Sequence, residues 1–64
     1  MKKYLIKSLS INRYWYGYYT SQQWTSIPEE AKFFDCKEDA ENIIFEFKSG
    51  IYTVEEVIIQ NYPQ

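Results

Sequence analysis

The segment Tyr14-Trp15-Tyr16-Gly17-Tyr18-Tyr19-Thr20-Ser21-Gln22-Gln23-Trp24 constrains the fold more than any other stretch, because it packs four tyrosines and two tryptophans into a chain of 64 residues. A domain this short buries roughly 60% of the surface its unfolded chain exposes, around a single thin core. That core cannot hold every ring, so part of the cluster is expected at the surface. Exposed aromatic side chains combine large contact area with a polar tip, which makes them a candidate recognition surface.

The hydrophobic share of 45% and charged share of 25% match a folded globular chain and argue against disorder. Residues 1–64 are read as one small domain. A single cysteine, Cys36, allows no internal disulfide, so stability must come from packing or self-association, and a reducing, cytoplasmic setting is expected. The opening MKKYLIKSLSI is interrupted by Lys7, Ser8 and Ser10 and lacks the continuous apolar stretch of a signal peptide. No run approaches the ~20 apolar residues of a membrane span. Net charge is only −2, but it is unevenly spread. Lys2, Lys3, Lys7 and Arg13 stand in the first 28 residues without an acid, whereas all nine acids lie beyond, among Lys32, Lys37 and Lys48. Such asymmetry marks either an interaction surface or two halves that attract each other.

Along the chain, residues 2–11 read as a strand, apolar on both faces near its start, with a turn at Asn12-Arg13. Tyr14–Thr20 reads as a second strand, rich in the residue types that strands favour. Gly17 inside it suggests a bulge or a close backbone approach. Pro28 followed by Glu29 and Glu30 suits a single helical turn, and Ala31–Phe34 reads as a short third strand. Asp35 and Glu38 have the spacing of a capping box. Ala40, Ile43, Ile44 and Phe47 then form one apolar stripe of a helix that Gly50 ends. Ile51–Ile59 is the last strand, with a bulge expected at Glu55-Glu56. The fold class is α+β: a small antiparallel sheet of three to four strands with one helix packed on one face, in the order β-β-β-α-β or β-β-α-β. One helix covers one face, and the other is left for water or a partner.

Chemistry is poorly supplied. Histidine is absent, which removes the commonest general base and metal ligand. Cys36 sits at the expected helix start, but Asp35 and Glu38 oppose a thiolate there and no histidine can pair with it. Two glycines, Gly17 and Gly50, make no phosphate loop. No enzyme activity, metal or cofactor is expected.

The aromatic strand offers more. Strand parity separates Tyr14, Tyr16 and Tyr18 from Trp15 and Tyr19, and the helix can cover one set only. The open set, with Trp24, fits a protein interface. Together with Lys3, Lys7 and Arg13 it also has the ingredients of a single-stranded nucleic-acid or nucleotide platform, in which bases stack on rings and cations follow phosphates. On the helix, Phe45 falls away from the apolar stripe among Glu38, Glu41 and Asn42, like an anchor in a polar rim; the plain alternative is a singly exposed apolar side chain.

Trp24, the segment Ala31-Lys32-Phe33-Phe34-Asp35, Glu38-Asp39-Ala40 and Tyr52-Thr53-Val54 together resemble the very small proteins of phages and mobile elements. These share an aromatic hairpin, an A-x-x-F strand, a helix opening on two acids and alanine, and a final Y-x-[IV] strand. The resemblance implies a non-enzymatic accessory protein that binds and inhibits host machinery, CRISPR and other defence systems included. It carries over no site residues. The expected function is thus occlusion of a host protein through Tyr14, Trp15, Tyr16, Tyr18, Tyr19 and Trp24 or through Phe45, Glu38 and Glu41. The alternatives are nucleic-acid binding and a homodimer whose rings complete its own core.

Overall fold

The computed structural model describes residues 1–17, 24–47 and 49–58. Strand β1 (Lys2–Ser8) runs antiparallel to β2 (Arg13–Trp15), and β2 in turn to β3 (Trp24–Thr25). A 3₁₀ turn (Pro28–Glu30) precedes helix α1 (Lys37–Ile44), and β4 (Tyr52–Ile58) returns along the free side of β1. The result is a four-stranded antiparallel sheet of order β3-β2-β1-β4 with one helix packed on it, the α+β architecture the sequence leads one to expect.

The register fixes the two faces, because side chains alternate along a strand and opposed residues share a face. Tyr4, Ile6, Trp15, Trp24, Tyr52 and Val54 lie on the helix side; Lys3, Leu5, Lys7, Tyr14, Thr53 and Glu55 lie on the other. The core gathers Ile6, Trp15, Phe34 and Ala40, against which Ile43, Ile44, Phe47 and Tyr52 pack. Ala40 is fully buried; its small side chain lets the helix approach the sheet closely. Rings make up much of the rest. Trp15 stacks on Phe34 with centroids 6.1 Å apart, and Trp24 stacks on Tyr52 at 5.6 Å. Trp24 and Tyr52 stand on opposite edge strands, so the sheet curls toward the helix to bring them together.

Several local expectations are corrected. The first strand ends at Ser8, since Leu9–Asn12 form the turn and Asn12 adopts a left-handed φ of 57°, a conformation asparagine tolerates better than most residues. The second strand ends at Trp15, and Gly17 is buried just beyond it; Tyr18–Thr20 lie outside the described residues. The third strand is Trp24–Thr25 and not Ala31–Phe34. Of the latter segment only Phe34 joins the sheet, exchanging both backbone hydrogen bonds with Tyr4, while Lys32 N–H donates to the Trp15 carbonyl at 3.0 Å.

The expected Asp35 cap is also absent. Cys36 is the N-cap residue and supplies no side-chain hydrogen bond, because Asp35 instead accepts from the Lys3 ammonium across the fold. The helix ends at Ile44, with 3₁₀-type bonds from Glu46 N–H to Ile43 and from Phe47 N–H to Ile44 tightening the exit. Gly50 therefore shapes the turn into β4 and does not cap α1. The β1–β4 ladder is regular from Lys2↔Ile58 to Ser8↔Tyr52, with no bulge at Glu55-Glu56. The face opposite the helix is not left open along its whole length. Leu5 is fully buried there, beside Pro28, Glu29 and Phe33. Thr25 holds this cover in place: its hydroxyl donates to Glu30 Oε1 at 2.9 Å and accepts from Ile27 N–H at 3.1 Å.

Candidate functional site

Within β2 the aromatic residues divide by parity, Trp15 toward the helix and Tyr14 away from it. Trp15 lies beneath the helix, 8% exposed, with Phe34 and Phe47 against its ring. Trp24 is half-buried between Phe47 and Tyr52. Trp15 belongs to the core, whereas Trp24 packs against it and keeps part of its surface open. Tyr14, on the opposite face, is half-buried under the Lys7 ammonium, which stands 5.6 Å from its ring centroid. Tyr16 is exposed. Tyr18 and Tyr19 lie outside the described residues.

The basic flank is drawn into ion pairs with the acidic second half. Lys3 meets Asp35, Lys7 stands 3.7 Å from Glu55, and Lys2 stands 3.7 Å from Glu56. The Lys3 hydrogen bond and charge hold the Asp35 carboxyl below its usual range. Of the two readings of the uneven charge, these pairs support attraction between the halves: two of the three cations assigned to phosphates, Lys3 and Lys7, face carboxylates. Arg13, exposed at the start of β2, makes no ion pair among the described residues.

Phe45 behaves differently. It is the C-cap residue of α1 and 86% exposed. Its position follows from helix geometry: at 100° per residue it is turned off the Ala40–Ile43–Ile44 stripe, onto the flank that holds Lys37 and Glu41. Glu38 and Glu41 are exposed on the same side. Between this flank and strand β4 runs an open groove of about 480 Å³, walled by Lys37, Glu41, Ile44 and Phe45 and floored by the start of β4 from Tyr52 to Val54.

The structure thus puts Phe45, Glu38 and Glu41 on one flank of α1, and the groove beside that flank shares Tyr52 with the Trp24 stack. The part of β4 in this arrangement was not signalled by the sequence, because an edge position follows from topology and not from residue type. Exposed Leu9, Ile11 and Ile51 form a smaller apolar tip at one end of the sheet, joined by the Leu9 N–H to Ile51 carbonyl bond of 2.8 Å. No helix among the described residues is long and apolar enough to cross a membrane. Comparison with models of known families, with curated proteins and with solved structures finds no match.

Proposed function

We propose that this chain is a non-enzymatic binding protein that occludes a protein partner through the flank of α1, with Phe45 as the anchor and Glu38 and Glu41 as its acidic rim. The single observation that carries this reading is the exposure of Phe45, 86%, beside a groove that can take a partner's side chain. A ring that enters a partner's surface and is desolvated there is the usual form of a binding hot spot. The setting implied by the resemblance, a phage or mobile-element protein acting on a host protein such as a defence component, belongs to this proposal. The alternative, a single-stranded nucleic-acid or nucleotide platform, gains no support from cations that are already paired or from a Tyr14 ring already covered by Lys7.

The test places a photo-crosslinking residue at position 45 and asks for one stoichiometric protein adduct in host cells. With that partner purified, Phe45→Ala is expected to weaken binding at least about tenfold, and Tyr16→Ala to leave it nearly unchanged. Equal affinity of the Phe45→Ala variant and the parent overturns the reading.

A further inference from the structure

Helix α1 and the turn that leaves it carry acids that the fold does not use. Glu38, Asp39, Glu41 and Glu46 are exposed and make no ion pair among the described residues, in contrast to Asp35, Glu55 and Glu56, which β1 already holds. Lys37 is the one cation among residues 37–46. It stands four residues before Glu41, and in that order, lysine ahead of glutamate, a helical pair gains little.

Of these acids, Glu41 also lines the groove beside Phe45. Phe45 N–H still donates to the Glu41 carbonyl at 3.1 Å, so the two side chains keep the four-residue spacing that makes them neighbours on a helix surface. An unpaired carboxylate thus stands next to an open aromatic ring. Lys37 lines the far end of the groove, eight residues and about 12 Å from Phe45 along the helix axis. Ile44, Tyr52 and Val54 supply apolar surface between, and Tyr52 is fixed there by its stack on Trp24 and by the hydrogen bond it donates to the Ser49 carbonyl.

An arginine side chain answers each part of this arrangement. Its methylene stem covers apolar surface, its planar guanidinium stacks on a ring, and its fork of N–H groups matches a carboxylate. We propose that the groove takes an arginine of the partner protein, with the stem along Ile44 and Val54 and the guanidinium held between the Phe45 ring and the Glu41 carboxylate. The inference rests on the reading that the Phe45 flank binds a protein, and it adds the side chain that is bound.

Charge disfavours a second copy as the source. Arg13 is this chain's own arginine, and it opposes Ser8 on one side as Tyr52 does on the other, so it shares the helix side of the sheet with the groove. A copy that lays Arg13 in the groove therefore turns its own α1 toward α1, setting four acids and one lysine against the same set. An arginine on another protein brings no such repulsion.

The experiment titrates a blocked pentapeptide, arginine at its centre and glycine elsewhere, into the full chain at low salt, followed by Phe45 ring and backbone amide shifts. Shifts are expected at Glu41, Phe45 and Val54. The citrulline counterpart, nearly the same shape without the charge, is expected to bind at least about fivefold more weakly, and the lysine counterpart about threefold. Glu41→Gln and Phe45→Ala are each expected to weaken the arginine peptide at least about fivefold, and Lys37→Gln to strengthen it about twofold. Both Glu41 and Phe45 are exposed, so these variants keep the parent's fold, which the amide spectrum checks. No shift at about 10 mM peptide, citrulline bound as tightly as arginine, shifts centred on another surface, or a dimer in sedimentation that Arg13→Gln dissolves overturns the proposal. If the crosslinked partner is lost by Phe45→Ala but held as tightly as by the parent in Phe45→Leu, which keeps apolar bulk without the ring, and in Glu41→Gln, the proposed function stands and the arginine assignment falls.

Discussion

Gly50 adopts a φ of +107°, and an ideal Cβ there would stand 2.5 Å from the Tyr52 hydroxyl and 2.8 Å from its ring carbon Cζ. That hydroxyl is held by the Ser49 carbonyl, to which it donates, so the ring cannot turn aside without losing a bond. Gly50→Ala is therefore expected to destabilise the fold by about 1–3 kcal/mol, measured as a lowered midpoint in urea. A loss below a few tenths would show that the turn relaxes freely. The need for glycine here was legible in the sequence, but its task was not: five residues, beginning with the tightened turn to Phe47, part it from the helix. Asp35 shows the same limit. Its spacing from Glu38 is that of a capping box, yet a lysine distant in sequence competes for its carboxylate, and composition does not reveal which partner prevails.

Strand parity was the most informative signal among the elements, since it separated the Trp15 set from the Tyr14 set before any packing was known. It could not say which set the helix would cover. The single buried stripe of α1 needed the larger ring, and Trp15 serves as the plate between Phe34 and Phe47. Trp15→Ala is expected to cost about 3–5 kcal/mol, read by chemical denaturation. Trp15→Phe should cost less than about 1.5 kcal/mol, because the indole N–H it removes is buried without an acceptor among the described residues. A Phe variant as unstable as the Ala variant would refute that account. The helix itself was legible from its 3.6-residue period. Strand ends were not, since Ser8 and Trp15 stop their strands for reasons of pairing: β2 is released where Phe34 takes over the edge of β1.

For the whole molecule, the uneven charge of the chain resolves into contacts between its halves, with Lys2, Lys3 and Lys7 of β1 meeting Glu56, Asp35 and Glu55. Asp35 titrates below its usual range when folded, so its contribution is present above the ordinary aspartate value of about 4 and is lost as pH falls below it. Wild type should thus exceed Lys3→Met in stability near neutral pH, and the gap should close in acid. A gap that persists in acid would mean Lys3 stabilises through its methylene stem and not its charge. The same topology has a kinetic consequence. The central strand is the first one made, yet its longest partner is the last, with Lys2 opposite Ile58. During synthesis β1 can meet β2 early, but half of its hydrogen-bonding edge stays open until nearly all the described chain has emerged. Contacts this distant in sequence slow folding and prolong exposure of an unpaired edge, so the nascent chain passes through a stage in which β1, not β4, is the strand open to capture.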